Sequence, residues 1–179
     1  MKYGISQKVW LSIGSNVGNR AKHLQAAVNS LNQHPSINVH TTSSIYETPP
    51  WGNTKQSAFY NAIVEIGTAL EPLELLNAVK LIESQLGRRS GPRWGQRNID
   101  IDIVLWEDVA VYTEALTIPH NHYCERAFVL VPLHEVAPTL KDPDSGHSIE
   151  ALLETIEDKD QVHPVADTLL IPNTPHSNK

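Results

Sequence analysis

Arg93-Trp94-Gly95-Gln96-Arg97-Asn98-Ile99-Asp100-Ile101-Asp102-Ile103 is the stretch from which the rest of the chain can be read. Its second half alternates strictly, with Ile99, Ile101 and Ile103 on one side and Asp100 and Asp102 on the other. Period two is the signature of a half-buried strand. The isoleucines enter a core, and both carboxylates leave from the same face, their Cα atoms roughly 6.6 Å apart at about 3.3 Å of rise per residue. Two ionised acids side by side repel, and beside a core they are partly desolvated. A cation should sit between them, and magnesium fits, because it takes one or two carboxylates and fills its octahedron with water and phosphate. Arg88, Arg89, Arg93 and Arg97 fall just before the pair. Guanidinium forks suit phosphate oxygens, so acids for metal beside arginines for phosphate make up the inventory of phosphoryl transfer. The simpler alternative is a solvated strand whose acids pair with these arginines.

The chain has 179 residues and 40% apolar content, enough for one domain with a real core. Its formal net charge is -6, which opposes general nucleic-acid binding. Cys124 is the single cysteine, so an internal disulfide is excluded and a reducing cytoplasm is expected. A four-cysteine zinc site is excluded too. Met1 to Lys8 lacks the apolar region of a signal peptide, and no apolar run approaches a membrane span.

The chain in order predicts a first strand over 8–13, from Val9, Leu11 and Ile13. A turn at Gly14-Ser15-Asn16-Val17-Gly18-Asn19 follows, with Asn19 as N-cap of a helix carrying Leu24, Ala27, Val28 and Leu31. The turn lacks the Lys-Ser/Thr pair of a phosphate-binding P-loop and the glycine spacing of a dinucleotide fingerprint. Residues 37–46 read as a second strand. Thr48-Pro49-Pro50-Trp51-Gly52 is stiff, with few donors, and serves either as one wall of a pocket for a flat ring or as a surface turn. Phe59 to Ile66 reads as a third strand; Phe59 and Asn61 share a face, suited to stacking on a planar heterocycle and bonding its edge, or to a core and a strand end. Pro72 opens a second helix with Leu75, Leu76, Val79, Ile82 and Leu86, closed by Gly87. Residues 88–96 form a mobile loop, and the acid-bearing strand runs to Trp106. His120 is suited to a phosphate, whereas His120 and His122 are a weak zinc signal. Arg126 to Val136 and Ile149 to Ile156 read as helices, and 159–179 as a loose tail.

Strand, helix, strand, strand, helix, strand is the β-α-β-β-α-β order of a ferredoxin-like α+β sandwich, here with a C-terminal helical appendix. A single domain over 1–158 is expected.

Seven motifs of this chain resemble those of the 6-hydroxymethyl-7,8-dihydropterin pyrophosphokinase family. They are Gly14-Ser15-Asn16 with Gly18; Tyr46-x-Thr48-Pro49-Pro50-x-Gly52; Phe59-x-Asn61-Ala62; Ile82-Glu83 with Leu86-Gly87-Arg88; Arg93-Trp94-Gly95-x-Arg97-x-Ile99-Asp100-Ile101-Asp102-Ile103; Ile118-Pro119-His120; and Arg126-x-Phe128-Val129-Leu130-x-Pro132-Leu133. The resemblance runs from about Val9 to Pro138. It implies transfer of the β,γ-diphosphate of ATP to the pterin hydroxymethyl oxygen, with release of AMP, in tetrahydrofolate biosynthesis. It also implies two magnesium ions on Asp100 and Asp102, with Arg88 and Arg97 sharing the catalytic work. The pterin would meet Thr48, Pro49, Pro50, Trp51 and Asn61 between the rings of Phe59 and Phe128. ATP would meet Glu83, Arg88, Trp94, Arg97, Ile103, Thr117, His120 and Arg126. A cytoplasmic monomer with small-molecule substrates, no nucleic acid and no membrane is expected. Family members usually carry Pro where this chain has Gln96, and some place an extra basic residue where it has Ser90-Gly91-Pro92. Competing expectations are a different magnesium-dependent transferase on the same scaffold, a catalytically idle pterin- or nucleotide-binding protein, and an RNA-binding module, which the acidic balance disfavours.

Overall fold

The computed structural model describes residues 7–50, 55–88 and 96–173. Its elements are β1 (Gln7–Ser15), α1 (Arg20–Gln33), β2 (Ile37–Thr42), β3 (Tyr46–Thr48), β4 (Phe59–Thr68), α2 (Pro72–Gln85), β5 (Asp100–Trp106), β6 (Val111–Tyr112), β7 (Thr117–Ile118), α3 (Ala127–Val136), α4 (Ile149–Glu154) and β8 (His163–Pro164). The main sheet runs β5-β1-β4-β3-β8, with β2 also on β4. Every pairing in it is antiparallel.

The expected periodicities set the two faces. On one, Val9, Leu11 and Ile13 of β1, Val64 and Ile66 of β4, and Ile101 and Ile103 of β5 bury against Leu24, Val28 and Leu31 of α1 and Leu75, Val79 and Ile82 of α2. On the other, Trp10, Ile63, Val104 and Leu105 pack under Val129, Leu130 and Leu133 of α3 and Ile149 of α4. The register slips between Trp10/Leu105 and Leu11/Ile103, leaving Val104 as an extra residue. That bulge turns both Val104 and Leu105 toward α3 and restores Trp106 to the first core. α3 covers only part of its face. The rest is left as the floor of a cavity.

Local signals decide the helix ends. The Asn19 side chain accepts from Lys22 N at 3.0 Å and starts α1. Pro72 opens α2, and Glu74 reaches back to the Glu71 N–H. Gly87, at φ +83°, closes it in a conformation that glycine adopts without strain.

The second strand departs from expectation. Instead of one strand over 37–46 there are two, β2 and β3. Ser43 is the cause: its Oγ accepts the Ile63 N–H at 2.9 Å while its own N–H donates to the Ile63 carbonyl. A side chain thus takes a ladder position, and the chain bends before β3.

The stretch expected as a tail contacts the sheet and α1. β8 pairs with Tyr46 and Glu47 of β3, and Val165 N donates to the Ile45 carbonyl at 2.9 Å. Gln25 exchanges two hydrogen bonds with the backbone of Leu170, and Asn32 donates to the Pro172 carbonyl at 3.0 Å. Deleting 159–179 uncovers the outer edge of β3, so the melting temperature should fall by more than about 4 °C, corresponding to more than about 1 kcal/mol at this size. A thermal melt of the shortened chain checks this.

Candidate active site

The uncovered part of the second face is the floor of a cavity of ≈ 480 Å³. Three strands supply it. Ser12 lies opposite Asp102, Gly14 opposite Asp100, and Gly14 also opposite Asn61. Ser12, Gly14, Phe59, Asn61, Asp100 and Asp102 all line the cavity. The two acids therefore leave one face of β5, as the alternation requires, while Ile101 between them is fully buried in the core.

One wall is the stiff end of β3. Thr48 and Pro49 line it, joined by Gln56. Asn61 is 5% exposed and donates from Nδ2 to Thr48 Oγ1 at 2.7 Å. Its Oδ1 lies 2.7 Å from where a Cβ on Gly14 would stand. Glycine is thus required here by the close approach of an amide. A second wall comes from α3 and the segment before it: His120, Asn121, His122, Arg126 and Phe128. The His120 Nδ1 hydrogen bonds to the Asn121 carbonyl at 2.8 Å, which leaves Nε2 as the ring nitrogen available to a ligand.

Arg88 and Arg97 close the third side. Arg88 Nη1 lies 2.9 Å from Asp100 Oδ1 and also bonds to Glu83. Burial works against its charge, but Asp100 and Glu83 outweigh burial and raise its pKa. Arg97 is fixed through its backbone: its N–H donates to Asn16 Oδ1 at 2.8 Å and its carbonyl accepts the Asn16 N–H at 3.0 Å. Its guanidinium reaches Asp100 only at 3.4 Å. Asn16 also donates to Gln56 at 2.9 Å, so the Gly-rich turn ties two walls together.

Burial, and then the charge of Asp100, push the Asp102 carboxyl above the ordinary aspartate range; Lys80, His120 and Arg88 pull it back. An acid in this state gains from a cation. Among the described residues no cluster of three or more His, Cys, Asp or Glu forms a metal cage. The donor set is two carboxylates facing an open cavity, which fits magnesium, an ion that keeps water and phosphate in most of its coordination positions.

The cavity thus gathers Thr48, Pro49, Phe59, Asn61, Arg88, Arg97, Asp100, Asp102, His120, Arg126 and Phe128 from the expected set. Pro50, Ile103, Thr117 and Glu83 are not among its described lining. Ile103 faces the core and Glu83 is 2% exposed behind Arg88. Trp51 and Trp94 lie outside the described residues, as does most of the loop expected over 88–96. Sequence reasoning did not single out Ser12, Gln56, Asn121 and His122 as lining residues. For Ser12 and Gly14 a signal existed: small residues alternate with Leu11 and Ile13 on a strand, which marks a face something else approaches closely.

A family model described as 7,8-dihydro-6-hydroxymethylpterin-pyrophosphokinase matches residues 10–138. The chain is 48% identical over 133 residues to a Methylorubrum extorquens 2-amino-4-hydroxy-6-hydroxymethyldihydropteridine pyrophosphokinase, covering 74% of this chain and 84% of that protein. It is 46% identical over 127 residues to the Bacillus subtilis protein of the same name, covering 71% of this chain and 76% of the relative. Its fold is similar to that of Plasmodium falciparum HPPK-DHPS wild type crystallised with pteroate, at a TM-score of 0.68 and 17% identity over 83% of this chain and 42% of the other. The chain belongs to the 7,8-dihydro-6-hydroxymethylpterin-pyrophosphokinase family.

Proposed function

We propose that this protein transfers the β,γ-diphosphate of ATP to the hydroxymethyl oxygen of 6-hydroxymethyl-7,8-dihydropterin and releases AMP, a step of tetrahydrofolate biosynthesis. Family membership supports the reaction. The observation that carries the reading is one cavity lined by an acid pair, three arginines, the Asn61 amide and the rings of Phe59 and Phe128. The pterin oxygen forms a bond to the β-phosphorus, the bond from that phosphorus to the α–β bridging oxygen breaks, and the hydroxyl proton is released.

No protein nucleophile is needed, so this chain's residues orient and stabilise. Asn61, fixed by Thr48, offers its amide to the edge of the ring; Phe59 and Phe128 offer faces for stacking. Arg88, Arg97, Arg126 and His120 face the phosphates. Asp100 and Asp102 are the ligands proposed for two magnesium ions, which when bound supply charge neutralisation around the diphosphate. Pro50 and Trp51 on the pterin side, and Trp94, Ile103 and Thr117 on the nucleotide side, complete the set implied by the family; Glu83, which the family also implies there, is buried behind Arg88 and acts through it. The scaffold proposed is a ferredoxin-like sandwich over 1–158 with a C-terminal appendix, supported by the sheet order and by two helices on one face. A cytoplasmic monomer is part of the same reading. Among the described residues no helix is long and apolar enough to cross a membrane.

Incubation with ATP, magnesium and the reduced pterin alcohol, with products weighed by mass spectrometry, tests the proposal. AMP and a pterin diphosphate in equal amounts are expected; ADP would contradict it. Gly14→Ala forces Asn61 off its bond to Thr48, so pterin binding measured by calorimetry should weaken about tenfold, equivalent to about 1.4 kcal/mol, with the affinity for ATP retained.

A further inference from the structure

Among the described residues β5 ends the sheet, so on its outer side its backbone groups have no neighbouring strand. Unpaired buried N–H and carbonyl groups are costly. At Ile101 both are satisfied by α2. The Ile101 N–H donates to Glu83 Oε1 at 2.6 Å, and the Ile101 carbonyl accepts from Lys80 Nζ at 3.3 Å. Lys80 and Glu83, one helical turn apart, are themselves paired at 3.1 Å. The other Glu83 oxygen takes the Arg88 guanidinium, whose same nitrogen reaches Asp100.

We infer that Lys80 and Glu83 are positioning residues: their side chains stand in for the missing strand beside β5, set the height of the Asp100/Asp102 pair through the peptide between them, and hold Arg88 to one side of that pair. The inference rests on the proposed reaction for its kinetic consequence, but not for its geometry.

The burial of Glu83 distinguishes this from a surface ion pair. Its carboxylate is 2% exposed and accepts from a backbone N–H, an ammonium and a guanidinium. A buried charge is tolerated only when so many donors meet it. Leucine, of similar size, would fill the same buried space, yet would leave the Ile101 N–H without an acceptor. It would also release Arg88 to settle over both acids, occupying the place where a cation is needed. Glu83 divides the attraction on Arg88 and so keeps the acids open to a ligand. Its role is thus exerted from behind the cavity, not by touching nucleotide.

Glu83→Gln, Glu83→Leu and Lys80→Met separate the parts. Glutamine keeps an acceptor for Ile101 but loses the charge that draws Arg88. Hydrogen exchange of the Ile101 amide should therefore stay near the wild-type rate in Glu83→Gln. In Glu83→Leu it should rise at least about tenfold, the factor expected for losing a hydrogen bond to a charged group. In steady-state kinetics, Glu83→Gln should lower kcat about tenfold or more with little change in the KM for ATP, the pattern of a lost arrangement rather than a lost contact. Lys80→Met should lower kcat by a smaller factor, again without moving KM. A Glu83→Gln protein with wild-type kcat, or one whose defect lies in the KM for ATP alone, overturns the inference. So does an Ile101 amide that exchanges equally in wild type and Glu83→Leu. Because exchange is read without substrates, a failure of the proposed reaction leaves that arm decisive.

Discussion

Asp102→Asn is expected to cut turnover by about three orders of magnitude while raising the melting temperature of the metal-free protein. Loss of a centre that stabilises developing charge typically costs about 10²–10³ in kcat, and on the proposed role of Asp102 loss of a cation ligand adds to it. The stability change has the opposite sign because Asp102 is a liability in the folded chain. Burial and the charge of Asp100 raise its folded pKa above its unfolded value, so the native state binds this proton more tightly than the unfolded state does. Its contribution is fully present below the unfolded pKa of about 4 and is lost as pH climbs through the raised folded value. Asparagine has no proton to lose. The gap in melting temperature between variant and wild type should therefore widen with pH across that window, at about 2–4 °C for each kcal/mol relieved. It should close when magnesium is added to the wild type alone. Kinetics and melts at three pH values check both halves. Wild-type turnover in the variant would remove the acid pair from the mechanism, and a gap indifferent to magnesium would remove the metal from it.

How far the sequence could carry this is clearest on β5. Its alternation placed Asp100 and Asp102 together because a strand's faces follow from period two alone. Asn19 and Gly87 marked helix ends for equally local reasons, a side-chain acceptor and a positive φ. What escaped depends on register between distant segments. Ser12 and Gly14 become lining residues only once β1 is known to lie between Asn61 and the two acids. The break between β2 and β3 turns on Ser43 meeting Ile63, twenty residues away in the chain. Glu83 enters the sequence reading only through the family resemblance, as a contact to ATP. Its bond to the Ile101 N–H exists only because α2 packs along the open side of β5. The same holds for Gln25 and Asn32, whose partners at Leu170 and Pro172 lie about a hundred and forty residues away.

Arg97→Ala should lower kcat by about 10²–10³ and leave the melting temperature within about 2 °C of wild type. The two arginines over Asp100 are held in different ways. Arg88 is engaged on both sides, by Glu83 and by Asp100, so its removal would disturb β5 as well as the cavity. Arg97 owes its place to its backbone, which Asn16 fixes through the N–H and the carbonyl. An alanine keeps both bonds. Among the described residues the guanidinium meets an acid only at Asp100, at 3.4 Å, with the side chain about a quarter exposed, and loose pairs of this kind contribute little to folding. A cationic side chain on a pinned backbone, lining the cavity but spending little of its charge on protein, is available to a polyanion. The KM for ATP should rise only a few-fold if the contact tightens as charge moves to the departing AMP, because interactions made mainly in the transition state appear in kcat. Arg97→Lys should restore only part of the rate, since an ammonium offers one point of charge where the guanidinium offers a fork. Steady-state kinetics of both variants, with melts alongside, decide this. An alanine variant with wild-type kcat would mean that Arg97 merely balances Asp100, and a lysine variant with full activity would mean that net charge, not the fork, is what the site requires.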